Sequence, residues 1–434
     1  MRIQAQVAQL LSEVTSSNSA PNLLLALSGG VDSCVLLHAL AQAKKTLHFN
    51  LHAMHVHHGL SPNADAWADF CAKTCAAYQV PLEIAKVNVE KNAGLGLEAA
   101  AREARYQALC GTNADYILLA HHQDDQAETL LLQLLRGAGL KGLSAMASQD
   151  ADRRLLRPLL DIPRAEIESY AKSAKLTWIE DESNLDTEYD RNYCRHEVMP
   201  VLKARFYAAS ATLARSATHI AEAADLLDEL AQLDAENCIV NHHLNLDALK
   251  SLSYPRVKNL TRWWLVSLGL GLPNKDRLDE LLDQLLHAKV DASIKVTIEG
   301  KTVRRYQGLA YIEQSAEALP FAMSWQGEQE ISLPDGSVLN FERLIGQGLA
   351  VDRLGVERLR IESRQGGERF KPALNRPTRT LKHLLQEANL APWLRDRLPL
   401  IYLEDALAVV PGIGVSCLMQ ANEKEMGLVI SWKW

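Results

Sequence analysis

The sequence predicts an α/β protein: an N-terminal doubly wound parallel sheet, then a small mostly helical domain, then a C-terminal α+β domain. Three observations carry that expectation. Between Leu23 and Leu135, apolar runs of strand length alternate with helical patterns, as in a parallel sheet covered on both faces. Near Arg205 the alternation stops and a long helical pattern takes over. A chain of 434 residues that is 47% hydrophobic also exceeds what one core can absorb, so two or three domains are expected.

Each element follows from local pattern. Leu23–Leu27 is a continuous apolar run of strand length, and Cys34–Ala41 reads as the helix after it. Leu51–Val56, Leu82–Val87 and Tyr116–Ala120 are further strands. Ala64–Tyr78, Leu97–Leu109 and Asp124–Leu135 are the remaining helices of this part. Ligands bind such sheets beyond the carboxyl ends of the strands, so "ALSGG", "MHVHHGL" and "LAHHQDD" are expected to converge. Phe206–Leu233 reads as a long helix, with "LSYPRVKNLTRWWLVSLG" and "NKDRLDELLDQLLHA" as two more. "IKVTIEGKTVRRYQGLAYIEQ" reads as a hairpin turning at Glu299-Gly300. The expected parts are 1–215, a linker helix at 216–243, a middle domain at 244–314, linker and strands at 315–350, and a last domain at 351–434. Trp263 and Trp264, flanked by Leu260, Leu265 and Leu268, are expected in a helical core rather than as stacking platforms.

Composition narrows the class. The net charge of −7 does not suggest a nucleic-acid binder from bulk electrostatics. The local balance differs: Arg353–Lys382 holds nine bases against three acids, a balance of +6. Seven scattered cysteines, with no CxxC pair, argue against a disulfide framework and fit a reducing cytosol. Cys71 and Cys75 are expected on a helix away from the motif loops. No secretory leader and no apolar run of about 18 residues is evident, so a cytoplasmic location without a membrane span is expected. Oligomeric state is not legible, and a homodimer stays open.

The loop Ser28, Gly29, Gly30, Val31, Asp32 and Ser33 lies between the first strand and its helix. A helix start presents free N–H groups, glycine lets backbone approach a phosphate, and the serines donate hydroxyl hydrogens. Asp32 repels phosphate unless a divalent cation bridges them, and Mg²⁺ prefers a carboxylate plus substrate phosphates. The alternative is an ordinary tight turn. Asp125 and Glu128 share a helical face and suit a cation, either a metal or an amine; Asp124 suits the helix dipole. The histidines of "HVHHGL" and His121-His122 are expected in hydrogen bonds more than as metal ligands. Arg105 lacks a partner at i−4 and suits phosphate. "EDESN" and "RNYCRHEVMP" place three acids and then two arginines, four apart, in one short segment.

"SGGVDS" resembles the signature of the PP-loop ATP pyrophosphatases, a Rossmann-like fold family that cleaves ATP between its α and β phosphates. "HVHHGL", "EAAREARY", "HHQDDQAET", "RGAGLKGL", "RPLL", "DESN" and "RNYCRHEVMP" follow in the order found in the tRNA(Ile)-lysidine synthetase family. "RQGGERFKP", "TLKHLLQEANLAPWLRDRLPLIY" and "AVVPGIGV" extend the resemblance to the last domain. It implies ligation of L-lysine to the first anticodon cytidine of a minor isoleucine tRNA with a CAU anticodon, with ATP as substrate and Mg²⁺ as cofactor. It implies catalytic roles for Asp32, Arg105, Asp125, Glu128 and Arg195. ATP would lie on Ser28, Gly29, Gly30, Val31, Asp32 and Ser33, with Asp32 as metal ligand, and lysine on Asp125 and Glu128. Arg364, Arg369, Lys371, Arg379 and Lys382 are the expected tRNA contacts. A tRNA thiolase is the nearest rival and needs reactive thiols.

Overall fold

The computed structural model describes residues 2–14, 20–89, 97–287, 294–314, 320–353, 359–374 and 376–433. The chain divides into two compact units, Met1–Glu229 and Leu230–Trp434. The long helix Ala209–Cys238 runs through the division. It starts three residues after the expected Phe206, which stands outside the helix at the end of the short helix Met199–Arg205.

The first unit opens with helix α1 (Arg2–Val14), whose Ile3, Val7 and Leu11 recur every four residues and are fully buried. Then follow β1 (Asn22–Ala26), α2 (Val31–Ala43), β2 (Asn50–His57), α3 (Ala64–Ala77), β3 (Leu82–Lys86), α4 (Leu97–Cys110), β4 (Tyr116–Leu118) and α5 (Gln123–Leu135). After α6 (Leu140–Leu143) come β5 (Gln149–Asp150), β6 (Leu155–Leu156) and α7 (Arg164–Ser173). The sheet order is β3-β2-β1-β4-β6-β5; all pairs are parallel except β5 with β6. Order reverses between β1 and β4, and such a switch point opens a crevice at the strands' carboxyl ends.

Strand parity explains the unbroken apolar run. Leu23 and Leu25 bury into one core with α1, α2 and α7. Leu24 points to the opposite face and packs with Tyr106 and Leu109 of α4. Both faces are dry, so alternation with polar residues is lost. α2 begins at Val31, earlier than expected, which puts Asp32 and Ser33 in its first turn.

In the second unit, helices Tyr254–Ser267 and Lys275–His287 pack with a five-stranded sheet that includes Lys295–Ile298, Lys301–Tyr306 and Leu309–Gln314. Glu299 and Gly300 both take positive φ at the expected turn, as a two-residue hairpin requires. Trp264 is buried and donates to the His242 carbonyl at 2.8 Å; Trp263 is half-buried against the same core.

Strands on either side of the expected start of the last domain at Val351 pair with one another. Val338–Ile345 pairs antiparallel with Met426–Lys433 along eight residues, and Ala322–Ser324 pairs with Arg360–Ser363. The region before Val351 therefore supplies strands to the two larger sheets of this part of the chain. Residues 315–319 lie outside the described residues. Local pattern identifies strands but not a partner about 80 residues away.

Candidate active site

The three motif loops converge at the carboxyl ends of β1, β2 and β4. They line a cavity of about 770 Å³, shared with residues 181–184 and with Arg191 and Arg195. That volume suits a nucleotide-sized ligand, since small-molecule sites run to about 300–1,000 Å³.

The glycine loop is built tightly. Gly29 has φ +88°, and a Cβ there would lie 2.7 Å from Ile179 Cδ1 and 3.2 Å from Cys71 Sγ. Only glycine fits. Gly29 N–H donates to Ser33 Oγ at 3.2 Å, and Gly30 N–H donates to Ser28 Oγ at 3.3 Å. No side chain caps α2, so its first turn faces the cavity with open N–H groups.

Asp32 sits at that helix start. Its Oδ2 pairs with the Arg164 guanidinium, while Oδ1 is buried and has no hydrogen-bond partner. His122 Nε2 lies 3.8 Å from Oδ1. Burial raises the Asp32 pKa, although His122 and Arg164 oppose it. A bare, buried carboxylate oxygen beside an uncapped helix start fits a divalent cation that takes its other ligands from phosphate.

Asp125 and Glu128 are almost fully buried on α5. Arg195 grips Glu128 with both arms, Nε to Oε1 at 2.8 Å and Nη2 to Oε2 at 2.9 Å, and also donates to Asp125 Oδ1 at 2.9 Å. Arg191 Nη2 donates to the same Asp125 oxygen at 2.9 Å. Asp125 Oδ2 accepts from the His122 backbone N–H at 2.9 Å. Burial raises the Asp125 pKa, but His122, Arg191, His121 and Arg195 together outweigh it and hold the carboxyl below its ordinary range. The arginines ride on helix Asp190–Tyr193 and the π-helical turn Cys194–Val198, where the Met199 N–H closes on the Cys194 carbonyl. Single π turns often mark functional sites.

This network carries a pH signature. Asp125 has a depressed folded pKa, so its contribution to stability is complete above its unfolded value of about 3.9 and is lost as pH falls towards the folded value. Arg191→Gln should raise the folded pKa and move the acid-unfolding midpoint, followed by circular dichroism, to higher pH. An unmoved midpoint would show that Arg191 does not hold the carboxylate.

Asp124 does more than complement a dipole. It accepts from Arg164 N–H at 3.0 Å, Ser210 Oγ at 2.7 Å and the Lys203 ammonium, tying α5 to three other elements. His55 bonds the Leu27 carbonyl at 2.9 Å, and burial pushes His121 down to about 3. These imidazoles are neutral at pH 7.

Ser28, Asp32, Ser33, Arg105, Asp125 and Arg195 thus line one cavity. Gly29, Gly30 and Val31 form the loop at its edge, and Glu128 stands one turn behind Asp125. Sequence reasoning did not assign Arg191 or Arg164 to the site. The four-residue spacing from Arg195 was the available signal for Arg191; Arg164 gave none. The cysteine pair needs correction: Cys71 lies directly beneath the glycine loop, because α3 packs against β2 and β3. Burial pushes the Cys34 and Cys71 thiols up to about 12 and Cys75 to about 11, so none is a ready nucleophile.

The five expected tRNA contacts lie in the second unit. Arg364 is held by Glu368 at 3.3 Å, and Arg379 pairs with Glu387. Arg369 and Lys382 are exposed and Lys371 is half-buried. The Arg353 side chain, Glu357 and Arg358 lie outside the described residues.

Residues 1–202 match the model of a PP-loop domain, 244–311 that of a TilS substrate binding domain, and 359–432 that of a TilS substrate C-terminal domain. A tRNA(Ile)-lysidine synthase of Nitrosomonas europaea is 46% identical over 94% of this chain and 91% of its own. One from Azoarcus sp. is 44% identical over 95% of this chain and 92% of its own. A solved U34-tRNA thiolase from Methanococcus maripaludis aligns at 18% identity, with a TM-score of 0.45, over 51% of this chain and 78% of that one. No described helix is long and apolar enough to cross a membrane.

Proposed function

We propose, from the premise that this chain belongs to the tRNA(Ile)-lysidine synthase family, that it joins free L-lysine to the first anticodon cytidine of a CAU-anticodon isoleucine tRNA in the cytoplasm. The cytosine C2 oxygen attacks the α-phosphate of ATP, and pyrophosphate leaves. The lysine ε-amine then displaces AMP at C2. The product base pairs with A instead of G, so reading switches from AUG to AUA.

The observation that supports this reading best is the pairing of an uncapped helix start and bare Asp32 oxygen with a carboxylate–guanidinium cluster in one cavity. ATP phosphates would rest on the glycine loop and the α2 N–H groups. Asp32 would hold Mg²⁺, which neutralises phosphate charge when bound. Arg105 and Arg195 would stabilise charge on the α-phosphate or bind the lysine carboxylate. Asp125 and Glu128 would hold the lysine ammonium, with phosphate competing for the arginines that now cover them.

The ammonium must lose a proton before attack. Its reference pKa of about 10.4 makes that cost roughly 4–5 kcal/mol at neutral pH. Asp125, held below the ordinary carboxylate range, is a poor acceptor. With Asp125 set aside, Glu128, one turn along α5, is the group we assign to take the proton. The reading is tested by incubating the protein with ATP, labelled lysine and the CAU-anticodon tRNA. Lysine incorporation with AMP release supports it; sulfur incorporation or no turnover refutes it.

The last domain would grip tRNA outside the anticodon, at the acceptor arm. Cutting at Val351 is a poor test, because it strips the partner from Val338–Ile345. Lys371→Ala and Lys382→Ala are better. Each lost phosphate contact should flatten the salt dependence of tRNA affinity by about 0.7–0.9 in log–log slope. Filter-binding slopes equal to wild type would exclude those two residues as contacts.

A further inference from the structure

Arg164 is a guanidinium on Asp32 that the chemistry above does not use. We infer that it is a positioning residue for the divalent cation: it holds Asp32 Oδ2 and leaves the bare Oδ1 as a single, oriented ligand. The inference rests on the reading of Asp32 as the metal ligand.

Arg164 is fixed at both ends. Its backbone N–H donates to Asp124 Oδ2 at 3.0 Å, and Asp124 is itself held by Ser210 and Lys203. Its Nε donates to Glu168 Oε1 at 2.9 Å, one turn along α7, and its Nη1 pairs with Asp32 Oδ2. The carboxylate it reaches is 132 residues away in sequence and only partly exposed. The result is an asymmetric carboxylate, with one oxygen committed to Arg164 and the other buried and bare.

Mg²⁺ demands near-octahedral geometry at short distance, so a ligand that pivots loses affinity even if its charge is kept. Arg164 also repels a cation, which would weaken binding. Its placement on the far oxygen, away from the bare one, favours orientation as the dominant effect. Groups that orient metal ligands from behind typically change metal affinity by about 10–100-fold when removed.

The test uses full-length protein and calorimetric binding of a non-hydrolysable ATP analogue, across Mg²⁺ concentrations and in EDTA. Arg164→Gln should raise the Mg²⁺ needed for half-maximal nucleotide binding by about tenfold or more, and leave the EDTA affinity unchanged. Arg164→Lys should shift it less in the same direction, and carries the test if Arg164→Gln does not fold. An unchanged or lowered Mg²⁺ requirement, or equal loss with and without Mg²⁺, overturns the inference and leaves Arg164 as a tie between α2 and α7. Wild-type binding that ignores Mg²⁺ sinks the metal reading itself, and this inference with it.

Discussion

Asp32→Asn is expected to silence adenylation, lowering pyrophosphate release by about 10²–10³-fold or more, the usual cost of removing one oriented charge stabiliser. The substitution keeps the shape of the side chain and deletes the charge that a cation would meet. Affinity for tRNA should stay near wild type, because Asp32 lies deep beside the glycine loop. Stability should not suffer. Burial raises the Asp32 pKa, so ionisation of this carboxyl costs the fold stability instead of adding to it. The neutral amide should therefore melt at the same temperature or higher, which separates lost chemistry from lost structure. Wild-type pyrophosphate release in a well-folded variant would remove Asp32 from the mechanism.

The second large effect concerns lysine transfer. Glu128→Gln is expected to slow aminolysis by about 10²–10⁴-fold, the range for losing a positioned proton acceptor, with adenylation preserved within a few-fold. Single-turnover assays that trap adenylated tRNA and then add lysine separate the two steps. The fold should loosen as well, since removing one member of a buried pair costs up to about 3–5 kcal/mol. The loss should fall below that range, because Arg195 keeps its bond to Asp125. Unchanged aminolysis would show that another group takes the proton.

Much of the first unit was legible because its determinants are local. An apolar run between two covered faces, a glycine loop and a helix start are each readable within ten residues, and the sheet rule then gathers "ALSGG", "MHVHHGL" and "LAHHQDD" at one edge. What stayed hidden depends on long reach. Nothing near Arg164 announces a partner 132 residues earlier. Asp125 and Glu128 read as an open cation site because helical spacing shows which side chains share a face, not what covers them; Arg191 and Arg195 cover them. Gly29 required glycine for a reason supplied by Ile179 and Cys71, both distant in sequence. The partners of the strands before Val351 stayed hidden because strand pairing, unlike strand propensity, has no local signature.

That pairing has a consequence during synthesis. Val338–Ile345 waits for about 80 further residues before Met426–Lys433 can join it. At bacterial elongation rates of about 5–20 residues per second, the wait is roughly 4–16 s. Over that interval a nascent strand with Leu339 and Phe341 on its core face has no interior neighbour, and open strand edges invite the wrong chain. The Met426–Lys433 strand lies between Val338–Ile345 and Leu349–Ala350, so it closes the sheet from within. Premature stops and translational pauses before Met426 should therefore be more damaging to solubility than their distance from the cavity suggests.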